Sequence, residues 1–216
     1  MKFTAALTTL FFAQQGQAQQ AGMLEREQAP TMTLKECTLE QGCTSSTKKV
    51  TLDANWRWIH EVNGSNNCYT GDSWNAQVCT DPLQCAQQCA VEGVTAAKYR
   101  QTYGIEQIQD GVKLNFVTQH AYGKNIGSRL YLLDDDDESY KLFYLKNREF
   151  SLDIDVSQLE CGMNGAMYFT EMDKNGGKIE KQICVLQPVI IHYNTYCVCT
   201  ICKLTSIIPC FIMLSF

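Results

Sequence analysis

The segment from Asp53 to Tyr69 reads DANWRWIHEVNGSNNCY, which brings two tryptophans, an arginine, amides and a cysteine into one short run. Trp56 and Trp58 stand two apart, so on a strand both rings would emerge on one face. Flat apolar rings there would cover the C–H faces of a sugar, while arginine and amide donors fix its hydroxyls. That is carbohydrate-binding chemistry. The other reactive side chains offer less. His60, His120 and His192 lie far apart without ligand spacing and read as satisfied or solvent-facing histidines. Cys197, Cys199 and Cys202 cluster like part of a zinc clasp, but no fourth ligand follows at a suitable spacing, so no metal and no cofactor is expected. The acidic run from Asp134 to Glu138 reads as a solvated loop.

The elements that must position these residues are mainly strands. Phe150, Leu152, Ile154 and Val156 alternate with Glu149, Ser151, Asp153 and Asp155, and similar runs occur at 112–118, 129–133, 140–145 and 166–172. Turn signals such as Asp110-Gly111, Gly123-Lys124-Asn125 and Asn164-Gly165 separate them. Strands so spaced suggest a sandwich. One short helix is expected over Pro82–Ala90, with Asp81 as N-cap and Pro82 in the first helical position.

Residues 1–18 have the form of a secretory signal: Lys2, a short apolar stretch, then small residues up to Ala18. Gln14 and Gln15 break the apolar run too soon for a membrane span. Twelve cysteines fit a disulfide framework in a secreted, extracellular protein. Asn63-Gly64-Ser65 is an N-glycosylation acceptor, placing Asn63 in a surface loop. The net charge of −5 is scattered and leaves no basic face for a phosphate backbone, which argues against nucleic acid as a partner. After Gly176-Gly177 the composition changes: residues 178–216 hold no glycine and a single acidic residue, Glu180. This tail reads as foreign sequence, from intron read-through or a frameshift.

Residues 19–177 resemble the N-terminal part of a fungal-type cellulase of glycoside hydrolase family 7, a cellobiohydrolase or endoglucanase. Beyond DANWRW, the resemblance runs in family order through Asn67-Cys68-Tyr69, Thr102-Tyr103-Gly104, the stretches 114–119 (LNFVTQ), 124–132 (KNIGSRLYL) and 149–159 (EFSLDIDVSQL), and 161–169 (CGMNGAMYF). It implies an all-β, concanavalin-like β-jelly-roll sandwich, incomplete here because the later strands are missing. It also implies bridges Cys37–Cys43, Cys68–Cys89 and Cys79–Cys85, where sequence alone leaves fifteen pairings open for six cysteines. Another family bridge would use positions that read Gly22 and Ala90 here, and Cys161 lacks its downstream partner.

By the same resemblance Trp56 and Trp58 are glucose-stacking platforms, with Tyr69, Tyr103, Gln119, Arg129 and Tyr168 as hydrogen-bonding neighbours. Taken without the family, Tyr103 and Tyr168 read first as core aromatics. Retaining hydrolysis needs two carboxyl groups about 5 to 5.5 Å apart, which the family supplies through Glu-x-Asp-x-x-Glu. Glu171-Met172-Asp173 copies its start, but Gly176 stands where the last Glu is required. No catalytic residue is therefore assigned. The expectation is a secreted, monomeric cellulase-family chain that binds cellulose or another β-1,4-glucan and is inactive as written. A non-catalytic glucan-binding fragment and an unstable product of a mis-spliced gene are the alternatives.

Overall fold

Period-two alternation becomes antiparallel pairing over much of the computed structural model, which describes residues 20–171, Lys174 and residues 210–215. The expected signal segment 1–18 and most of the 178–216 tail lie outside the described residues. In chain order the strands are β1 (Gln20–Ala21), β2 (Thr31–Thr38), β3 (Gly42–Leu52), β4 (Ile59–Glu61), β5 (Cys89–Val91), β6 (Ile105–Gln107), β7 (Val112–Leu114), β8 (Val117–His120), β9 (Gly123–Ile126), β10 (Arg129–Leu132), β11 (Ala166–Glu171) and β12 (Cys210–Ser215). The helices are α1 (Pro82–Gln88) and α2 (Ala96–Gln101).

Five strands form the main sheet in the order β11-β12-β10-β3-β2, and β1-β5-β4 form a smaller one. Pairs β6-β7 and β8-β9 are hairpins. In the main sheet Leu130 faces Leu52 and Leu132 faces Val50. This register sends all four to one side, where they pack with Val94, Tyr99 and Ile105 as a buried core. Burying each such aliphatic side chain contributes about 1.5 to 3 kcal/mol. A second cluster joins Ile59 and Val78 to Cys68, Cys85 and Cys89. The bridges are Cys37–Cys43, Cys68–Cys89 and Cys79–Cys85, and Cys161 is an exposed free thiol.

Several elements differ from the sequence expectation. Trp56 and Trp58 do not share a strand face. Ala54–Trp56 is a 3-10 turn, because the Asp53 carboxylate accepts the Asn55 amide at 2.9 Å and the Asp53 carbonyl accepts that of Trp56 at 3.1 Å. These local bonds displace ladder bonds. The alternating run from Phe150 to Val156 is not a strand, and Ile154 and Val156 are 44% and 43% exposed. A strand needs a paired neighbour to satisfy its backbone, and among the described residues this run has none. The 140–145 run forms no strand: Tyr140 bridges Leu133, and Phe143 is a second isolated bridge position. Helix α2 was not expected; its signal is the Thr95 cap, which accepts the Lys98 amide at 3.3 Å, ahead of Ala96-Ala97. From the tail, β12 lies between β10 and β11, with Leu214 opposite both Leu130 and Met167.

Candidate glucan-binding surface

Three buried polar hubs set the geometry around the DANWRW segment. In the first, the Asp53 carboxylate, with no exposed side-chain area, accepts from Arg129 Nε at 2.8 Å, Arg129 Nη2 at 2.7 Å and the Tyr131 hydroxyl at 2.9 Å. Arg129 then lies over the Trp56 ring, 5.7 Å from its centroid, a cation–π distance. The Trp56 indole donates to the Ile126 carbonyl at 3.2 Å, which ties the β8-β9 hairpin to the turn. Burial opposes the charge on Arg129, but Asp53 and Tyr131 outweigh it and raise its pKa. Burial and the neighbouring Asp53 carboxylate push the Tyr131 hydroxyl far above the usual phenol range.

The second hub holds Arg57, which sits between the tryptophans and points inward. Its Nη2 donates to Thr51 Oγ1 at 2.9 Å and to the Tyr99 hydroxyl at 3.2 Å, and pairs with Glu27 at 2.9 Å. The Tyr99 hydroxyl donates to Glu27 Oε1 at 2.6 Å and accepts the Leu52 amide at 3.1 Å. Burial pushes Tyr99 well above its usual pKa.

In the third, Trp58 is 38% exposed and stacks on buried His60, with ring centroids 4.1 Å apart and planes 29° apart. The Trp58 indole N–H donates to Asn67 Oδ1 at 2.6 Å. His60 Nε2 meets Glu92 Oε2 at 2.8 Å, and Nδ1 faces the Glu61 and Gly64 carbonyls at 2.8 and 3.0 Å. Asn67 continues into an open groove of about 550 Å³ that also takes in Glu61, Asn66, Trp74, Asn75 and Gln77. An indole among amides suits a neutral sugar, which presents C–H faces and hydroxyls together.

The other expected site residues fall in separate places. Tyr69 pairs with Trp74 at 5.0 Å between ring centroids, and its hydroxyl donates to the Gly71 carbonyl. Tyr103 packs half-buried against the main core, and burial raises its pKa. Its left-handed neighbour Gly104 leaves no space for a Cβ, which would meet Thr118 Oγ1 at 2.0 Å. Gln119 is exposed on β8 opposite Lys124. Tyr168 is 41% exposed on β11 and its hydroxyl accepts from Asn164 at 2.7 Å. Asn63 is exposed in a turn. Glu171 closes β11, while Met172 and Asp173 lie outside the described residues. The Cys68, Cys79 and Cys89 sulfurs converge within 4.8 Å, but all belong to bridges and offer no thiolate to a metal.

Sequence reasoning missed Asp53, Tyr131, Glu27, Glu92 and Asn67. Only Asp53, as a capping residue before a turn, carries a local signal for its role; the rest depend on contacts across the fold. His60, read as a satisfied histidine, is satisfied, and it also carries Trp58.

A jelly-roll type of β-rich fold, stapled by disulfides and presenting half-exposed aromatics beside amides, defines the class as that of carbohydrate-active β-sandwich proteins. The chain belongs to glycosyl hydrolase family 7, whose model matches residues 21–185. The match passes Gly177, the point at which the composition changes. Similar solved structures include a family 7 cellobiohydrolase from Daphnia pulex, at 42% identity and TM-score 0.68 over 73% of this chain and 36% of that one. A cellobiohydrolase from Melanocarpus albomyces, complexed with cellotetraose, matches at 39% identity and TM-score 0.66 over 73% of this chain and 36% of that one. The native Humicola insolens endocellulase EGI matches at 30% identity and TM-score 0.62 over 73% and 39%. The chain thus spans well under half the length of these relatives.

Proposed function

We propose that this chain supplies the glucan-binding floor of a secreted, monomeric cellulase that hydrolyses β-1,4-glucosidic bonds. Its carrying observation is the Trp58 indole, backed by His60 on one side, part-exposed, and set beside Asn67 and the amide-lined groove. Family membership gives that surface its substrate class, cellulose or a related β-glucan, and the Melanocarpus relative was solved with cellotetraose. Trp56, covered by Arg129 and packed against the core, serves as a second and more rigid apolar surface. Arg129 adjoins Trp56 and reaches sugar with the donors Asp53 leaves free, while Tyr69, Tyr103, Gln119 and Tyr168 stand apart from the pair and would meet glucan at other points along its length. The three bridges and the Asn63 acceptor in its exposed turn support secretion.

Bond cleavage asks for a nucleophilic carboxylate and a protonated one at fixed separation, and the 216 residues contain no Glu-x-Asp-x-x-Glu. We therefore assign binding to this chain and cleavage to the whole family member. Titration of the purified chain with cellohexaose tests both parts. Trp58→Ala should weaken binding roughly tenfold, about 1.4 kcal/mol, with no reducing ends released. Unchanged affinity in Trp58→Ala would remove the platform role, and turnover by the pure chain would overturn the division of labour.

A further inference from the structure

We infer that His60 and Glu92 form a positioning pair for Trp58, holding a cationic imidazole beneath the indole so that glucan stacking there depends on pH, a step that rests on the platform role proposed above. Both ring nitrogens of His60 face acceptors: Nε2 a carboxylate, Nδ1 two carbonyls. Only the doubly protonated ring donates in both directions. His60 is 1% exposed and bonded at both ring nitrogens, so Trp58 rests on a ring held from two edges.

Glu92 is fixed in turn. Its Oε1 accepts the Glu25 amide at 2.8 Å and the Gly93 amide at 3.2 Å, and its carbonyl accepts from Arg57 at 3.5 Å. Gly22 lies directly against it; a Cβ there would stand 2.4 Å from Glu92 Oε2. Of the other charged groups nearby, the Glu61 carboxylate is turned to Asn66 at 2.7 Å, and Arg57 is engaged by Glu27. Glu92 is therefore the one carboxylate bonded to the imidazole among the described residues.

Burial disfavours the charged ring, but the bonds to Glu92, Glu61 and Gly64 outweigh it and raise the His60 pKa. A raised histidine pKa gives an interaction that is complete below the usual histidine range and lost as pH rises through the higher folded value. A protonated imidazole also quenches a stacked indole, so the same titration is visible in Trp58 emission.

The test uses the full chain, cellohexaose, and the emission difference between wild type and Trp58→Phe. Above the histidine range, Trp58 emission should rise and affinity fall about three- to five-fold, the size of a cation–π contact. Glu92→Gln keeps an acceptor for the Glu25 and Gly93 amides while its NH₂ faces His60 Nε2, which selects the neutral ring. That variant should show the weaker affinity already at mildly acid pH, with the emission step moved down or lost. A step that Glu92→Gln leaves in place, with Trp58→Phe still weakening binding, would overturn the positioning role alone. If Trp58→Phe binds as wild type does, the platform role fails instead, while the emission step can persist. Should Glu92→Gln not fold, ¹⁵N shifts of the wild-type His60 ring decide: two N–H groups near neutral pH support the pair, and a neutral ring refutes it.

Discussion

Replacing Asp53 with alanine should be among the most damaging single changes in this protein, and its cost follows from what the carboxylate holds. The side chain has no exposed area and accepts three bonds from Arg129 and Tyr131 and one from the Asn55 amide. Removing one partner of a buried pair costs about 3 to 5 kcal/mol, because the other charge stays behind unpaired. Arg129 retains 19% exposure, and water reaching it lowers the figure to about 3 kcal/mol. With a urea slope of about 2 kcal/mol per M, the denaturation midpoint should fall by about 1.5 M. The double variant Asp53→Leu with Arg129→Met removes both charges and refills the volume, leaving the Tyr131 hydroxyl and the Asn55 amide short of an acceptor, so it should recover most of that loss. A double-mutant cycle reads the coupling directly. Singles costing under about 1 kcal/mol, or a double as damaging as the sum of its singles, would refute the claim that this hub fixes the turn.

Tyr99→Phe should cost about 2 kcal/mol in the same assay, since it leaves the buried Leu52 amide without its acceptor and takes one donor from Glu27, which keeps Arg57 and the Val94 amide. Converting Cys68 and Cys89 to alanine should destabilise by about 3 kcal/mol, against about 2 kcal/mol for Cys37 and Cys43, because the first bridge spans 21 residues and the second 6; equal losses would show that loop closure is not what the bridges contribute. Stability should also fall at both ends of the pH range. Burial raises the Glu92 pKa, but amide donors and His60 outweigh it and the net shift is downward, so its contribution is present above the ordinary glutamate range and lost as pH drops through the lower folded value. The His60 contribution disappears on the alkaline side. Urea midpoints measured across pH should show a plateau between these limits, and Glu92→Gln, which removes the carboxylate and selects the neutral ring, should lose both the Glu92 limit on the acid side and the His60 limit on the alkaline side.

What could be read from the sequence was the part that local rules decide. The Asp81-Pro82 start of α1 is local, and the Asp81 carboxylate does accept the Gln84 amide at 2.9 Å. The alternation at 129–133 became β10 because β3 offered a partner in matching register. The same alternation at Phe150–Val156 gave no strand, since period two describes a face and says nothing of a neighbour. Asp53-Ala-Asn-Trp misled for a related reason: a tryptophan pair at strand spacing was outweighed by an aspartate whose side chain bonds the backbone two residues on. His60 could be read as a satisfied histidine, but its partner Glu92 is distant in sequence and no motif links them.

The surface around Trp56 and Trp58 owes its rigidity to short-range closure more than to the breadth of the sheet. Each tryptophan is braced by a charged side chain that is itself pinned from behind: Arg129 by Asp53 for Trp56, and His60 by Glu92 for Trp58. Arg57, between them, is drawn inward by Glu27 and Tyr99 and so turns the backbone that separates the two rings. Every one of these bracing residues lies between Glu27 and Tyr131. In the proposed platform role a ring must keep its angle to the sugar, and a stack of aromatic, cation and buried carboxylate resists tilting in a way that apolar packing, being non-directional, does not. The buried charges therefore act chiefly on the orientation of the two indoles. On that account their removal should harm glucan affinity even in variants, such as the apolar Asp53→Leu with Arg129→Met double, whose stability is largely restored.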